Sequence, residues 1–458
     1  VLLYQVGNET RAFLVIRDGM RRLLPNELLL VLAMGWIFES FLQGITGFGV
    51  PVAVGAPLLI GIGVKPMWAV IIPLLGQSWG NTFGTLAAAW DALVMSAGIS
   101  SGSKEYLITA FWTALFIWFW NLIIGITICW FYGKGKAIRK GFLPVLLLSL
   151  VQGGGELLLT QVNTTIACFV PACISLIVIL LLGRLPGYKQ EWSVRDSRVM
   201  DREKSAEKGE VKPEGMTLIH AFVPYFLLSV IALIVLLVEP VHTLLGKVQI
   251  GFSFPETVTG YGYVNEAVES FSPWTPFTHA SMFLFASAVI GMIYYKKKGW
   301  IVSGGIGRIF LRAVSMTMPS GMAIIGLVIM SKIMAGTGQT EVLANGIAGV
   351  LGKVYVIFSP FIGLLGSFMT GSNMSSNILF AGFQSTTANL LDVHSAIVLG
   401  AQSSGASIGS ALSPSNIVLG TTTANILGSE GKVLRKIIVI TVPAALMIGV
   451  FVLALTSL

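Results

Sequence analysis

The feature that most limits this chain is a succession of apolar stretches, each near the length of a bilayer crossing, parted by short polar or basic segments. They fall at about 26–43, 48–64, 66–90, 105–132, 141–160, 164–183, 217–238, 277–295, 306–335, 355–370, 374–391, 393–420 and 433–457. At about 20 residues per helical span, the 458 residues allow roughly ten to fourteen crossings. Composition agrees: 11% of residues are charged and the mean hydropathy is +0.82, whereas a soluble domain carries roughly 25% charged residues. An ordinary soluble enzyme, a disordered chain and a disulfide-built secreted scaffold are excluded. The net charge of +8 does not point to nucleic acid, because the basic residues form short clusters and no continuous face. Cys129, Cys168 and Cys173 sit in apolar runs, where a thiol behaves as a small hydrophobe. With no HExxH, CxxC or GxxxxGK[ST] motif, neither a metal nor a cofactor is expected. The chain opens at Val1 with neither Met nor a signal peptide, so upstream residues are expected.

Charge sets the orientation. Arg11, Arg17, Arg21 and Arg22 precede the first stretch, Lys134, Lys136, Arg139 and Lys140 follow the fourth, and Lys296, Lys297 and Lys298 follow 277–295. Residues 184–214 hold eight Lys/Arg and seven Asp/Glu, and Lys432, Arg435 and Lys436 precede the last stretch. The positive-inside rule puts these clusters in the cytoplasm. The scheme closes if 26–64 and 355–391 are re-entrant hairpins, the first from inside and the second from outside. Only Lys104, Lys247, Lys332 and Lys353 of the 29 Lys/Arg then lie elsewhere. The 239–276 loop, with Glu239, Glu256, Glu266 and Glu269 against Lys247, reads as external, and the 184–214 linker as a solvated cytoplasmic loop.

An internal repeat supports this scheme. Gly76-Gln77-Ser78-Trp79-Gly80-Asn81-Thr82-Phe83-Gly84-Thr85 aligns with Ala401-Gln402-Ser403-Ser404-Gly405-Ala406-Ser407-Ile408-Gly409-Ser410, an offset of 325. Upstream, Phe41-Leu42-Gln43-Gly44 aligns with Phe368-Met369-Thr370-Gly371. Each copy reads as an amphipathic segment, a hairpin, a span broken in its middle and a complete span. The expected fold is an all-α polytopic membrane protein with inverted repeats, two re-entrant helical hairpins and two broken transmembrane helices. Residues 1–140 hold the first repeat (hairpin 26–64, broken helix 66–90, helix 105–132). A helix pair and linker span 141–216. The second repeat spans 217–458, with hairpin 355–391, broken helix 393–420 and final helix 433–457.

Interrupted backbone at membrane depth must line protein or water, because an unpaired N–H or C=O is costly in hydrocarbon. The expected substrate contacts are therefore the turn residues Gln43, Gly44, Thr46 and Gly47, and Thr370, Gly371, Ser372 and Asn373. The helix breaks add Gln77, Ser78, Asn81 and Thr82, and Gln402, Ser403, Ser413, Ser415 and Asn416. Any one Ser or Thr reads as helix packing; four clusters together read as a site. Helix starts carry free N–H donors and a partial positive charge, so a small anion held by amides and hydroxyls is expected. Glu39, one turn before Gln43, and Glu156, after Gly153-Gly154-Gly155, are intramembrane acids. Such acids are costly and functional as a rule, and both are candidate proton-coupling groups.

The run Phe38-Glu39-Ser40-Phe41-Leu42-Gln43-Gly44-Ile45-Thr46-Gly47-Phe48-Gly49-Val50-Pro51, followed by Ala56-Pro57-Leu58-Leu59, resembles the signature of the bacterial L-lactate permease family. Gln402-Ser403-Ser404-Gly405 and Ser413–Asn416 fit it too. The resemblance implies a multi-pass carrier of the bacterial inner membrane that imports L-lactate, D-lactate or glycolate by proton symport. The wider arrangement resembles elevator-type ion transporters, in which hairpin tips contact substrate and cation. By that likeness Gly44–Gly47 and Thr370–Asn373 are tips, both hairpins cross the membrane against a fixed scaffold, and family members carry further spans ahead of the first hairpin. The expected partners are a small carboxylate, the coupling proton, the lipid bilayer and, as assembly, a homodimer. The alternatives are a sodium-coupled carrier of other organic anions such as dicarboxylates, and, in another class, an integral membrane enzyme. Against the enzyme stands the lack of clustered His, Cys or paired acids at catalytic spacing.

Overall fold

The computed structural model describes residues 1–47, 49–201, 213–260, 264–265 and 267–456. Phe48, residues 202–212 of the charged linker, and Glu266 lie outside the described residues. The chain forms two compact units, one of Val1–Ile16 with Gly209–Gln339, the other of Arg17–Lys208 with Thr340–Leu458. Among the described residues six helices are long and apolar enough to cross a membrane: Glu27–Ile45, Lys104–Leu159, Thr164–Leu182, Leu218–Leu236, Gln339–Thr370 and Glu430–Thr456. Lys104–Leu159, of 56 residues, would measure about 84 Å if straight, enough for two crossings of about 30 Å each. It is broken at Gly133 and Lys134 (φ +50°), where the expected cytoplasmic loop shrinks to a kink.

The first unit packs Leu2–Glu9 against Ala280–Lys297 and Gly305–Gly336, and Leu218–Leu237 against Ala280–Lys297. Thr217 caps Leu218–Leu237 through a box with His220. Glu9 accepts from Arg308 at 2.6 Å and Arg312 at 3.0 Å, which ties the short first helix to the long one. The all-α expectation is corrected here. The 239–276 loop holds a helix, Glu239–Leu245, and two antiparallel strand pairs, Ile250–Phe254 with Val268–Trp274 and Thr257–Val258 with Val264–Asn265. β-branched and aromatic residues at alternate positions of this run (Ile250, Phe252, Phe254) explain the preference for strand.

The second unit holds the polar turns and breaks. Glu27–Ile45 starts on Asn26, whose side chain accepts from the Leu29 amide at 3.1 Å, and turns through Gly47 (φ +58°) and Gly49 (φ +75°) into Val50–Gly61. Ser359–Thr370 turns through Gly371 (φ +80°) into Asn373–Leu390, capped by Ser372. These helix–turn–helix pairs are called the first and second hairpins. Left-handed backbone is open to glycine without the Cβ clash other residues meet. Pro66–Ser78 passes through a 3-10 turn, Trp79–Asn81, into Gly84–Ala97; this is the first broken helix. The second is Ser395–Ser410 followed by Pro414–Thr423, with Pro in its first turn.

Glycines let these pieces touch backbone to backbone, as small residues do in membrane helix packing. A Cβ on Gly405 would fall on the Pro360 carbonyl, one on Gly409 on the Leu364 carbonyl, and one on Gly363 on the Gln402 carbonyl. In the first half, Gly76 meets the Gly35 carbonyl in the same way. The linker departs from expectation. Its first part is docked: Lys65 donates to the Val199 carbonyl at 2.8 Å, Asp201 to the Gly63 carbonyl at 2.7 Å, and Val199 is fully buried. Backbone groups buried at the base of the first hairpin, around Gly63 and Val64, need partners, and the linker supplies them. Gly405→Val should drive the two helices apart and destabilise the protein by about 3 kcal/mol. Thermal unfolding in detergent reads this out, and an unchanged melting temperature would show that the contact does not matter.

Candidate functional site

A cavity of ≈ 30 Å³ is bounded by pieces of both hairpins and both broken helices. The first hairpin gives Gln43, Gly47 and Gly49; the second gives Gly371, Ser372, Asn373 and Met374. The first broken helix gives Gln77, Asn81, Thr85, Ala88 and Ala89, and the second gives Asn416. Each contributing element presents a helix start. Gly49 precedes Val50–Gly61, Ser372 caps Asn373–Leu390, Ala88 opens the right-handed part of Gly84–Ala97 after the left-handed residues Thr85 to Ala87, and Asn416 is the third residue of Pro414–Thr423. No lining residue carries a formal charge. The space is on the order of a few water molecules.

Behind this lining lies a knot of hydrogen bonds. The Asn373 amide donates to Thr82 Oγ1 at 2.9 Å, to Ser407 Oγ at 2.8 Å and to the Ser403 carbonyl at 3.2 Å. Thr82 Oγ1 shares hydrogen bonds with Ser403 Oγ at 2.9 Å and Ser407 Oγ at 3.0 Å. Thr82 and Ser407 stand 325 positions apart, the offset of the sequence repeat, so equivalent positions of the two copies touch. Asn377 donates to Ser403 Oγ and to the Ala89 carbonyl, and Asn81 to the Ser410 hydroxyl. Asn416 donates to the Ser410 carbonyl at 3.0 Å and to the Gly371 carbonyl at 3.4 Å. Among the described residues, one acceptor each on Gln77 and Asn373 is buried without a hydrogen-bond partner.

The remaining expected contacts lie off the cavity. Thr46 and Thr370 turn their hydroxyls back on their own helices, to the Leu42 and Gly366 carbonyls. Gly44 faces the backbone of Phe169. Ser78 bridges the Leu75 carbonyl and the Trp120 indole. Gln402 joins Gln384 and Ser376, while Ser413 and Ser415 pair at 2.8 Å behind Gly371. Glu39 and Glu156 are fully buried, and among the described residues neither carboxyl has an N–H or O–H partner. The Glu39 carboxyl fills the space a side chain at Gly55 would take, on the other arm of the first hairpin. Glu156 has the Cys168 thiol as its polar neighbour; that thiol also lies against Gly80, which touches cavity-lining Gln43. Each acid stands two residues after a π-helical turn, Ala33–Ile37 and Leu150–Gly154.

The family model of the L-lactate permeases matches residues 1–458. The chain belongs to the L-lactate permease family. It is 26% identical to the glycolate permease of Escherichia coli (strain K12), covering 99% of this chain and 82% of that protein. It is 26% identical to the L-lactate permease of the same organism and 24% identical to that of Halalkalibacterium halodurans, covering 95% of this chain and 79% of each relative. No solved structure matches. Relatives and family are permeases, so the chain is a multi-pass membrane carrier and not an enzyme.

Residue-by-residue reading overlooked Gly49, Thr85, Ala88, Ala89 and Met374 in the lining, and Asn377, Ser407 and Ser410 in the knot. The repeat held part of the missing signal, because Ser407 aligns with Thr82 and Ser410 with Thr85. Ala88 and Ala89 carry no polar signature. Their place follows from three successive left-handed residues, Thr85, Leu86 and Ala87 (φ +51°, +53° and +67°), which re-aim the helix after its break. Asn373→Ala and Thr82→Val should each destabilise the protein by about 1–3 kcal/mol through unpaired buried groups. Together they should be non-additive by about 1 kcal/mol; strict additivity in thermal melts would show that the knot does not act as a unit.

Proposed function

We propose that the chain is a secondary active transporter of the bacterial inner membrane that imports L-lactate, or a related 2-hydroxy monocarboxylate such as D-lactate or glycolate, together with a proton. The observation that carries this reading is a cavity with an uncharged lining on which four helix starts converge. Oriented amides and small polar side chains there suit a carboxylate, because helix starts concentrate N–H donors and positive potential. The α-hydroxyl would pair with the Gln43, Gln77 or Asn81 amides. The names of the relatives, L-lactate permease and glycolate permease, favour the same substrate class. The touching of repeat-equivalent Thr82 and Ser407 supports a pseudo-symmetric pair of halves, in keeping with inverted repeats.

The two buried acids support the choice of a proton. An ionised Glu39 and a bound carboxylate would place two negative charges in a low-dielectric body, one helical turn of hairpin apart from Gln43. A proton on Glu39 removes one charge, so proton and anion favour each other's binding, which is the thermodynamic content of symport. π-helical turns gather at functional sites, and both acids follow one. Both hairpins and both broken helices belong to one compact unit. Alternating access would therefore carry the two turns together, and cysteines placed at Thr46 and Ser372 should exchange accessibility between the two sides of the membrane.

Proteoliposomes test the proposal. Uptake of labelled lactate should rise severalfold with an acidic exterior and be indifferent to a sodium gradient. Glu39→Gln should keep lactate–lactate exchange while losing the dependence on the proton gradient. Uptake that follows sodium and ignores protons would replace this reading with the sodium-coupled one, and wild-type pH dependence in the Gln variant would remove Glu39 from coupling. Gly371→Ala, which puts a Cβ on the Ser415 hydroxyl at a left-handed position, should cut exchange at least about tenfold.

A further inference from the structure

Away from the cavity, the second unit carries a groove of ≈ 770 Å³, within the range of about 300–1,000 Å³ for pockets that enclose a ligand. Three elements form it. The start of Pro66–Ser78 gives Met67 and Trp68, the Lys104–Ser149 helix gives Ile126, Trp130 and Phe131, and Glu430–Thr456 gives Val439 and Ile440. Its walls are apolar, and one end is rimmed by Lys432, Arg435 and Lys436, all exposed. The spacing 432, 435, 436, 439, 440 is one face of a helix, so the cations and the apolar wall form a single stripe.

Two facts set the stripe apart from ordinary lipid-facing surface. Among the described residues no acid lines the groove, and the acid nearest in sequence, Glu430, is turned to the Thr421 hydroxyl and the Gly428 amide. Among the described residues the three cations are thus left without a carboxylate partner. Lys436 lies 5.1 Å over the Trp68 ring, which fixes its ammonium at the mouth. A basic rim above an apolar slot, with Trp at the boundary, matches a molecule with an anionic head and a hydrocarbon tail. The positive-inside reading of the sequence puts this cluster on the cytoplasmic side, where anionic lipids gather.

We infer that this groove is a specific site for an acidic glycerophospholipid, whose phosphate is held by Lys432, Arg435 and Lys436 and one of whose acyl chains lies against Ile126, Trp130 and Val439. The inference stands independently of the transported substrate. The test is native mass spectrometry of the purified full chain, delipidated in detergent and offered equal amounts of phosphatidylglycerol and phosphatidylcholine. Retention of phosphatidylglycerol should exceed that of phosphatidylcholine at least tenfold. Lys432→Gln/Arg435→Gln/Lys436→Gln should abolish the preference. Thr127→Trp, which fills the groove and leaves every charge in place, should reduce retention of phosphatidylglycerol at least fivefold. Should the triple variant not purify, Arg435→Gln alone, at an exposed position, should lose about threefold. Equal retention of the two lipids, an unaffected Gln variant, or unaffected binding in Thr127→Trp would each overturn the site; the last, with displacement by millimolar inorganic phosphate, would reassign it to a free anion.

Discussion

Everything in the second unit depends on giving partners to interrupted backbone where little water is at hand. Two helices break and two hairpins turn, and each interruption leaves N–H and C=O groups that a continuous helix would pair. Asn416 answers this at the Ser410 and Gly371 carbonyls, Asn377 at the Ala89 carbonyl and Asn373 at the Ser403 carbonyl, while hydrogen bonds among Asn373, Thr82, Ser403 and Ser407 tie together three of the four interrupted elements. Among the described residues, one acceptor each on Gln77 and Asn373, both of which line the cavity, stays without a hydrogen-bond partner.

The knot holds only because glycine lets the elements approach. Gly405, Gly409 and Gly363 admit neighbouring carbonyls where a methyl group would stand, and Gly76 does the same in the first half. Gly47, Gly49 and Gly371 serve a second purpose: their left-handed backbone makes turns tight enough to bring helix starts to the cavity wall. Each also abuts a polar group of a broken helix, namely Thr85, Asn416 and Ser415. Movement of a hairpin turn would therefore be felt at a break, and on the proposed reading this links occupancy of the cavity to the hairpins.

Charge is handled by separation. The cavity lining is uncharged, while Glu39 and Glu156 are buried a short way off, connected to it through Gln43. The fixed cations at the start of the last helix stand outside this region altogether and face an apolar groove. On the proposed reading, an anion would be held there by dipoles with no fixed counter-charge, and protonation of an acid would offset its charge.

Hydropathy and the clustering of Lys and Arg made the helices legible, because a helix in hydrocarbon must be about 20 apolar residues long whatever its neighbours are. Gly-rich polar runs inside those helices marked the turns and breaks for the same local reason. The order of elements and the repeat offset pointed to Gln43, Gly47, Gln77, Asn81, Gly371, Ser372, Asn373 and Asn416, which the structure places around one cavity. Thr46, Thr370 and Gln402 looked equivalent in sequence, yet a hydroxyl one turn from a carbonyl can bond its own helix, and an amide can be spent on packing. Only the tertiary structure decides which side of a helix meets a cavity, since that depends on contacts between segments some 300 residues apart. The docking of the linker and the left-handed turn at Thr85–Ala87 were equally out of reach, because both answer demands set by distant backbone.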